Sequence, residues 1–148
     1  MQAKKIHQKL SVSPQLASED FAALAASGVH VVINNRPDNE DPGQMSASDA
    51  AKLAAKHGLA YHHIPITTAE IPAEAVTRFG EVLENAPGPV HAHCRSGTRS
   101  ALLWALHQVL SGKMTADEAC AAASAHGFDL RASVAHHAAK LSSHHKKS

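Results

Sequence analysis

Between Val90 and Leu106 the chain reads Val-His-Ala-His-Cys-Arg-Ser-Gly-Thr-Arg-Ser-Ala-Leu-Leu-Trp-Ala-Leu, and few folds accommodate it. The turn signal Ala86-Pro87-Gly88-Pro89 comes first, so Val90–His93 reads as a short strand. The apolar run from Ala101 reads as a helix lasting until Gly112. A strand therefore passes into a helix through a short loop of small and cationic residues. That junction is typical of an α/β sheet, with the loop at the carboxyl edge where such sheets bind ligands.

Cys94 lies inside this junction, where unpaired backbone N–H groups and the positive end of the helix converge. Both favour a thiolate over a thiol, and both favour an anion beside it. Arg95 and Arg99 add two positive charges, while Ser96, Gly97 and Thr98 keep the loop small enough for backbone to approach a ligand. The residue types describe a nucleophile in an anion cradle. A lone cysteine is more often an inert, buried small hydrophobe. Two arginines, a glycine and two hydroxyls between a cysteine and a helix are not what such a packing role requires.

The remaining elements alternate. Residues 6–13 partly alternate and read as a first strand, an added edge to the sheet, broken by Pro14. Ser18 is expected to cap a helix that opens with Glu19 and Asp20 and ends at Gly28. Val29–Ile33 reads as a buried parallel strand that delivers the polar segment Asn34-Asn-Arg-Pro-Asp-Asn-Glu-Asp-Pro-Gly43. Arg36, Asp38, Glu40 and Asp41 then either face the cysteine loop or form a solvated turn. Ser46 or Ser48 caps a helix stopping at Gly58, and Leu59–Ile66 is the next strand. Pro72 suits the first turn of a helix to about Asn85. Thr115-Ala-Asp-Glu118 fits a capping box, and a last helix starts near Leu130. The expectation is a single α/β domain over 1–142 with a frayed tail over 143–148. Its core is a mainly parallel, four- to five-stranded sheet with helices on both faces.

With 14 Lys+Arg against 13 Asp+Glu the formal charge is only +1, so nothing calls for nucleic acid or an anionic membrane. The start Met-Gln-Ala-Lys-Lys-Ile-His has no apolar stretch, and the two cysteines lie far apart in sequence. Together these point to a soluble protein of a reducing compartment, the cytoplasm.

His93-Cys-Arg-Ser-Gly-Thr-Arg-Ser100 resembles the active-site loop of single-domain rhodaneses. Tyr61-His-His-Ile-Pro-Ile66 resembles the strand that precedes the acid loop of dual-specificity phosphatases. With Asn34-Asn-Arg-Pro-Asp38 added, the chain from about Leu10 to Leu130 resembles the phosphatase-like domain of the beta-lactamase-hydrolase-like family, whose members are also called sulfur transferases. The resemblance implies a dual-specificity-phosphatase-like fold. It makes Cys94 and Arg99 catalytic, and gives substrate contacts to Arg95, Ser96, Gly97, Thr98, Ser100 and Arg36. His93 and Asp38 would support the site.

Two chemistries compete. In the phosphatase pattern five residues separate cysteine from arginine, whereas here four separate Cys94 from Arg99. The shorter loop loses one N–H donor, and a misplaced oxyanion donor costs about 2.7–4 kcal/mol of transition-state stabilisation. Phosphatases of this type also carry an aspartate after the Ile-Pro-Ile strand. Here Thr67-Thr-Ala-Glu70 follows, and losing general-acid help costs roughly 10²–10⁴ in rate. Glu70, Asp38 or Asp41 would have to substitute. Sulfur transfer needs neither: a thiolate takes sulfur from thiosulfate or a persulfide, and an acceptor thiol removes it. The expected enzyme is thus a cysteine-dependent sulfurtransferase with a small anionic donor and no cofactor. Phosphate ester hydrolysis is the alternative, followed by an idle anion-binding or redox-sensing module.

Thirteen histidines invite a metal reading, but the usual zinc hydrolase spacings are missing, so no metal is expected. His91 and His93 should share one strand face. Cys120 has no charged cradle and reads as a packing residue.

Overall fold

The computed structural model describes residues 2–145. Five strands, β1 (Lys4–Lys5), β2 (Leu10–Ser13), β3 (Val31–Asn34), β4 (Ala60–His63) and β5 (Val90–His93), form one sheet in the order β1-β2-β5-β3-β4. Six helices join them: α1 (Ser18–Ala26), α2 (Ala47–Lys56), α3 (Ala73–Asn85), α4 (Thr98–Leu110), α5 (Ala116–Ser124) and α6 (Arg131–His145). β2, β5, β3 and β4 are parallel, and only β1 runs antiparallel, against β2. The mainly parallel sheet expected from the sequence is therefore present, with β5 and its cysteine at the centre.

The first strand differs from expectation. Residues 6–13 do not form one edge strand. The chain turns at His7–Leu10, so Lys4–Lys5 makes the edge while Leu10–Ser13 pairs with β5 inside the sheet. The reason is burial: Leu10 and Val12 are fully enclosed, whereas both lysines stay in water and blunt the exposed edge. The first helix is also capped one residue early. Ala17 occupies the cap position, and Asp20 accepts from its backbone N–H at 2.7 Å. Ser46 caps α2, and Thr115 with Glu118 completes the capping box of α5. The helical assignment of α6 runs past the start of the expected tail, and residues 146–148 lie outside the described residues.

Alternation divides the sheet into an apolar face and a mixed one. Leu10, Val12, Val31, Ile33, Val90 and Ala92 join the larger core, beneath α3 to α6. The centre of that layer is α4, from which Ala101 to Leu106 are all buried; a helix apolar on every side has to be enclosed. The opposite face packs Val32 against Leu16, Phe21, Leu24, Ala50, Ala54 and Leu59, under α1 and α2. On that same face the register aligns Ser11 with His91 and Val32, and Ser13 with His93 and Asn34. Among the described residues no helix is long and apolar enough to cross a membrane.

Candidate active site

Cys94 follows β5 directly and α4 starts at Thr98, so Cys94–Gly97 is a four-residue hairpin of backbone with Arg99 in the first helical turn. Gly97 caps α4 with φ +94, a left-handed conformation that strains any residue with a Cβ. A Cβ there would also sit 3.3 Å from the Phe128 ring and 3.4 Å from the Ser13 backbone. This conformation aims the Gly97 N–H at the Cys94 sulfur, 3.0 Å away. A thiolate accepts such a bond more strongly than a thiol. Cys94 itself has no exposed surface, while Arg95 and Ser96 are exposed at the rim. A donor reaches the sulfur only if that rim yields.

The loop after β3 closes on the cysteine loop through charge. Arg36 is buried, and each of its three nitrogens donates within the protein: Nε to Glu40 at 2.9 Å, one terminal nitrogen to Gln15 at 3.1 Å and the other to Asp41. Glu40 in turn meets Arg99 at 3.0 Å, and Asp41 meets Arg95 Nε at 3.2 Å. Arg99 spends a second nitrogen on the Ile66 carbonyl at 3.3 Å. Burial raises the Glu40 pKa, but hydrogen bonds from Arg99 and Arg36 outweigh it and hold the carboxyl below its ordinary range. Arg36 therefore anchors the carboxylates that face Arg95 and Arg99.

Other residues singled out from the sequence bond within the protein. Asp38 accepts from the Ala47 N–H at 2.8 Å and so serves the start of α2. Ser100 is fully buried, and its hydroxyl donates to Asn35 Oδ1 at 2.8 Å. Thr98 and Ser96 pair with each other through their hydroxyls. Glu70 is exposed on the turn after Ile66. Cys120 is buried in α5, and burial pushes its thiol pKa up, as suits a packing residue.

Below the loop lies a buried polar layer. His91 is bracketed by Ser11 at Nδ1 and Ser13 at Nε2, each 2.7 Å away. Ser13 gives its single hydroxyl proton to the Pro14 carbonyl, so it accepts from Nε2–H, and Nδ1 accepts from Ser11. Burial keeps the ring neutral, taking its pKa down to about 4, and the neutral ring carries its proton on Nε2. His93 is buried with neither ring nitrogen paired; burial, then His91 close by, brings it to about 3. No cluster of metal-binding side chains occurs among the described residues.

Gln15 and His137 had no signal of their own in the sequence, whereas Asn35 lay within the Asn34–Asp38 segment that carries the resemblance. Gln15 and Asn35 are placed by the turns leaving β2 and β3. His137, on α6, bonds the Thr68 carbonyl at 3.0 Å and so steadies the segment after Ile66.

Similar proteins place the chain in a family. The beta-lactamase hydrolase-like protein of Xylella fastidiosa is 38% identical over 135 residues, which is 90% of this chain but 31% of that protein. Its counterpart in Agrobacterium fabrum is 35% identical over 134 residues. The chain thus spans about a third of the length of the curated relatives it matches. A candidate phosphatase of Neisseria meningitidis, solved by crystallography, is 33% identical, with a TM-score of 0.79, covering 89% of this chain and 93% of that one. The structure of PTPMT1, only 14% identical, shares the fold across 99% of this chain with a TM-score of 0.75. The dual-specificity-phosphatase-like fold implied by the resemblance is thus the fold observed. Residues 2–111 match the family model for the phosphatase-like domain of beta-lactamase hydrolase-like proteins, and the chain belongs to that family.

Proposed function

We propose that this chain is a cysteine-dependent enzyme of the phosphatase-like kind, and that the group it moves is sulfane sulfur. The Cys94 thiolate attacks the outer sulfur of a small anionic donor such as thiosulfate. The donor's sulfur–sulfur bond breaks, sulfite leaves with the electron pair, and Cys94 carries a persulfide. An acceptor thiolate then attacks the terminal sulfur and restores the Cys94 thiolate. No proton has to be delivered to a leaving group in either step. Arg99 and Arg95 hold the donor anion, with the loop N–H groups.

The observation that carries this reading is the ion pair between Glu40 and Arg99. It holds the carboxyl that contacts Arg99 below its ordinary range and so ionised at neutral pH, where a general acid must be protonated. Asp38 is committed to capping α2, and Asp41 is paired with two arginines. The chain would act as one soluble, cytoplasmic domain, with both cysteines free as a reducing compartment requires.

Phosphate monoester hydrolysis through a Cys94 phosphoenzyme is the second reading. The family description and the Neisseria candidate phosphatase both favour it. Intact mass after incubation with thiosulfate separates the two. Sulfur transfer gives wild-type protein one added sulfur atom, discharged by cyanide and absent in Cys94→Ser, with slow turnover of aryl phosphates. Brisk aryl phosphate hydrolysis with no sulfur adduct would make the phosphatase reading the correct one.

A further inference from the structure

Five charged residues, four beside the cysteine loop and Arg36 buried behind them, form one connected network. Arg36 pairs with Glu40 and Asp41, Asp41 with Arg95, and Glu40 with Arg99. Three arginines against two carboxylates leave a single net positive charge where the loop alone would present two from Arg95 and Arg99. The carboxylates are also unequal. Glu40 is the less exposed and sits on Arg99, whose own side chain is mostly enclosed; Asp41 pairs with the exposed Arg95. Glu40 is locked from behind by the buried Arg36, so it is held in place as a fixed ligand of Arg99 and is not a passing surface contact.

We propose that Glu40 is a tethered anion that competes with substrate for Arg99, biasing the site towards singly charged donors and against doubly charged tetrahedral ones. This rests on the reading of the Cys94–Arg99 loop as the substrate-anion site. A dianion arriving at Arg99 either displaces Glu40, breaking its charge-assisted hydrogen bond with Arg99, or approaches a like charge held in place. A monoanion matches the net charge of the network and can share Arg99. A donor with one charge at its reacting end, such as an organic persulfide, fits that description. Thiosulfate and phosphate monoesters, doubly charged at neutral pH, fit it less well and should bind more weakly. The closed rim above a fully enclosed Cys94 belongs to the same arrangement, because the two ion pairs tie the segment after β3 onto the cysteine loop.

The test reads anion binding without any turnover. Cys94 is alkylated with neutral iodoacetamide under increasing sulfate, a dianion, or nitrate, a monoanion, and the modified peptide is followed by mass spectrometry. Protection gives the apparent dissociation constant of each ion. Glu40→Gln should bind sulfate about tenfold more tightly than wild type, with a smaller change for nitrate. Glu40→Asp, which keeps the charge but shortens the reach to Arg99, should move sulfate the same way by a smaller factor. It also serves if Glu40→Gln does not fold. Unchanged or weaker sulfate binding in both variants overturns the proposal, as does equal tightening for sulfate and nitrate. Failure of the sulfur-transfer reading looks different: sulfate binding still tightens in Glu40→Gln, yet neither thiosulfate nor an organic persulfide leaves a persulfide on wild-type Cys94.

Discussion

Ser100 donates its hydroxyl proton to Asn35 Oδ1 at 2.8 Å, across 65 residues of sequence, and Asn35 Nδ2 donates to the Ile64 carbonyl at 2.9 Å. One amide thus ties the first turn of α4 to the exit of β4, while its backbone N–H bonds the His93 carbonyl at 2.8 Å. Three strand ends and the cysteine loop share this residue. It is fully buried, so none of these groups has water to fall back on.

Replacing Asn35 with Ala leaves the Ser100 hydroxyl and the Ile64 carbonyl without that partner. Each unpaired buried group costs about 1–3 kcal/mol, so the variant should lose about 2 kcal/mol or more. Urea unfolding monitored by circular dichroism checks this, the expected signature being a lower midpoint with an unchanged slope. A midpoint equal to wild type would mean that the amide is dispensable.

The buried histidines set a pH dependence with a definite sign. His91 is depressed from 6.5 to about 4 and His93 to about 3 in the folded chain. The unfolded rings take up protons near pH 6.5 that the native rings refuse, so stability is present above that pH and is lost as the pH falls towards 4. Each ring contributes up to about 1.4 kcal/mol per pH unit in that window. His91→Gln should remove that share of the slope, measured as unfolding free energy between pH 6.5 and 4.5. Equal slopes for the variant and wild type would show that His91 is protonated in the native state.

Gly97→Ala combines two penalties. The φ of +94 costs a residue with a Cβ about 1–2 kcal/mol, and the added methyl presses on the Phe128 ring at 3.3 Å. Relief by turning the loop would take the Gly97 N–H off the Cys94 sulfur. The expected result is a loss of stability together with slower sulfur loading of Cys94 under thiosulfate. A stability loss alone would separate the glycine's structural role from the sulfur.

Much of this was legible in the sequence because the junction between β5 and α4 is marked on both sides, by Pro87-Gly88-Pro89 before and the enclosed Ala101–Leu106 run after. Capping residues such as Ser46 and Thr115 act within their own turn, so they too could be read locally. What escaped was long-range. Arg36 looks like a substrate contact in sequence, yet its donors go to Gln15, Glu40 and Asp41, because burying a guanidinium demands that it be satisfied internally. Asp38 is drawn to the amide of Ala47, nine residues on, a bond that no spacing rule announces. Residues 6–13 carried a partial alternation, but the turn at His7–Leu10 was visible only once Leu10 had a partner strand.

Arg99 offers two nitrogens to two different partners, the Ile66 carbonyl at 3.3 Å and Glu40 at 3.0 Å. A lysine supplies the charge but not the planar fork that holds both. Arg99→Lys should therefore load sulfur about tenfold or more slowly than wild type, and Arg99→Ala more slowly still. Loading rates by quenched intact mass decide it; wild-type rates in Arg99→Ala would remove Arg99 from the site.

The loop length itself can be changed. Four residues separate Cys94 from Arg99, and the turn between them is closed by the contact of the Gly97 N–H with the sulfur. Inserting one glycine between Ser96 and Gly97 lengthens the reach by at most about 3.6 Å and adds one N–H to the cradle. The insertion should move the sulfur away from its donor and weaken sulfur loading from thiosulfate. It should also enlarge the ring of N–H groups towards one that can enclose a phosphoryl group, tightening inorganic phosphate measured by protection of Cys94 from alkylation. Ester turnover should remain slow, because Glu40 stays ionised on Arg99 and no acid has been added. Should the insertion leave sulfur loading intact while phosphate binding stays weak, loop length would not be what selects the chemistry of Cys94.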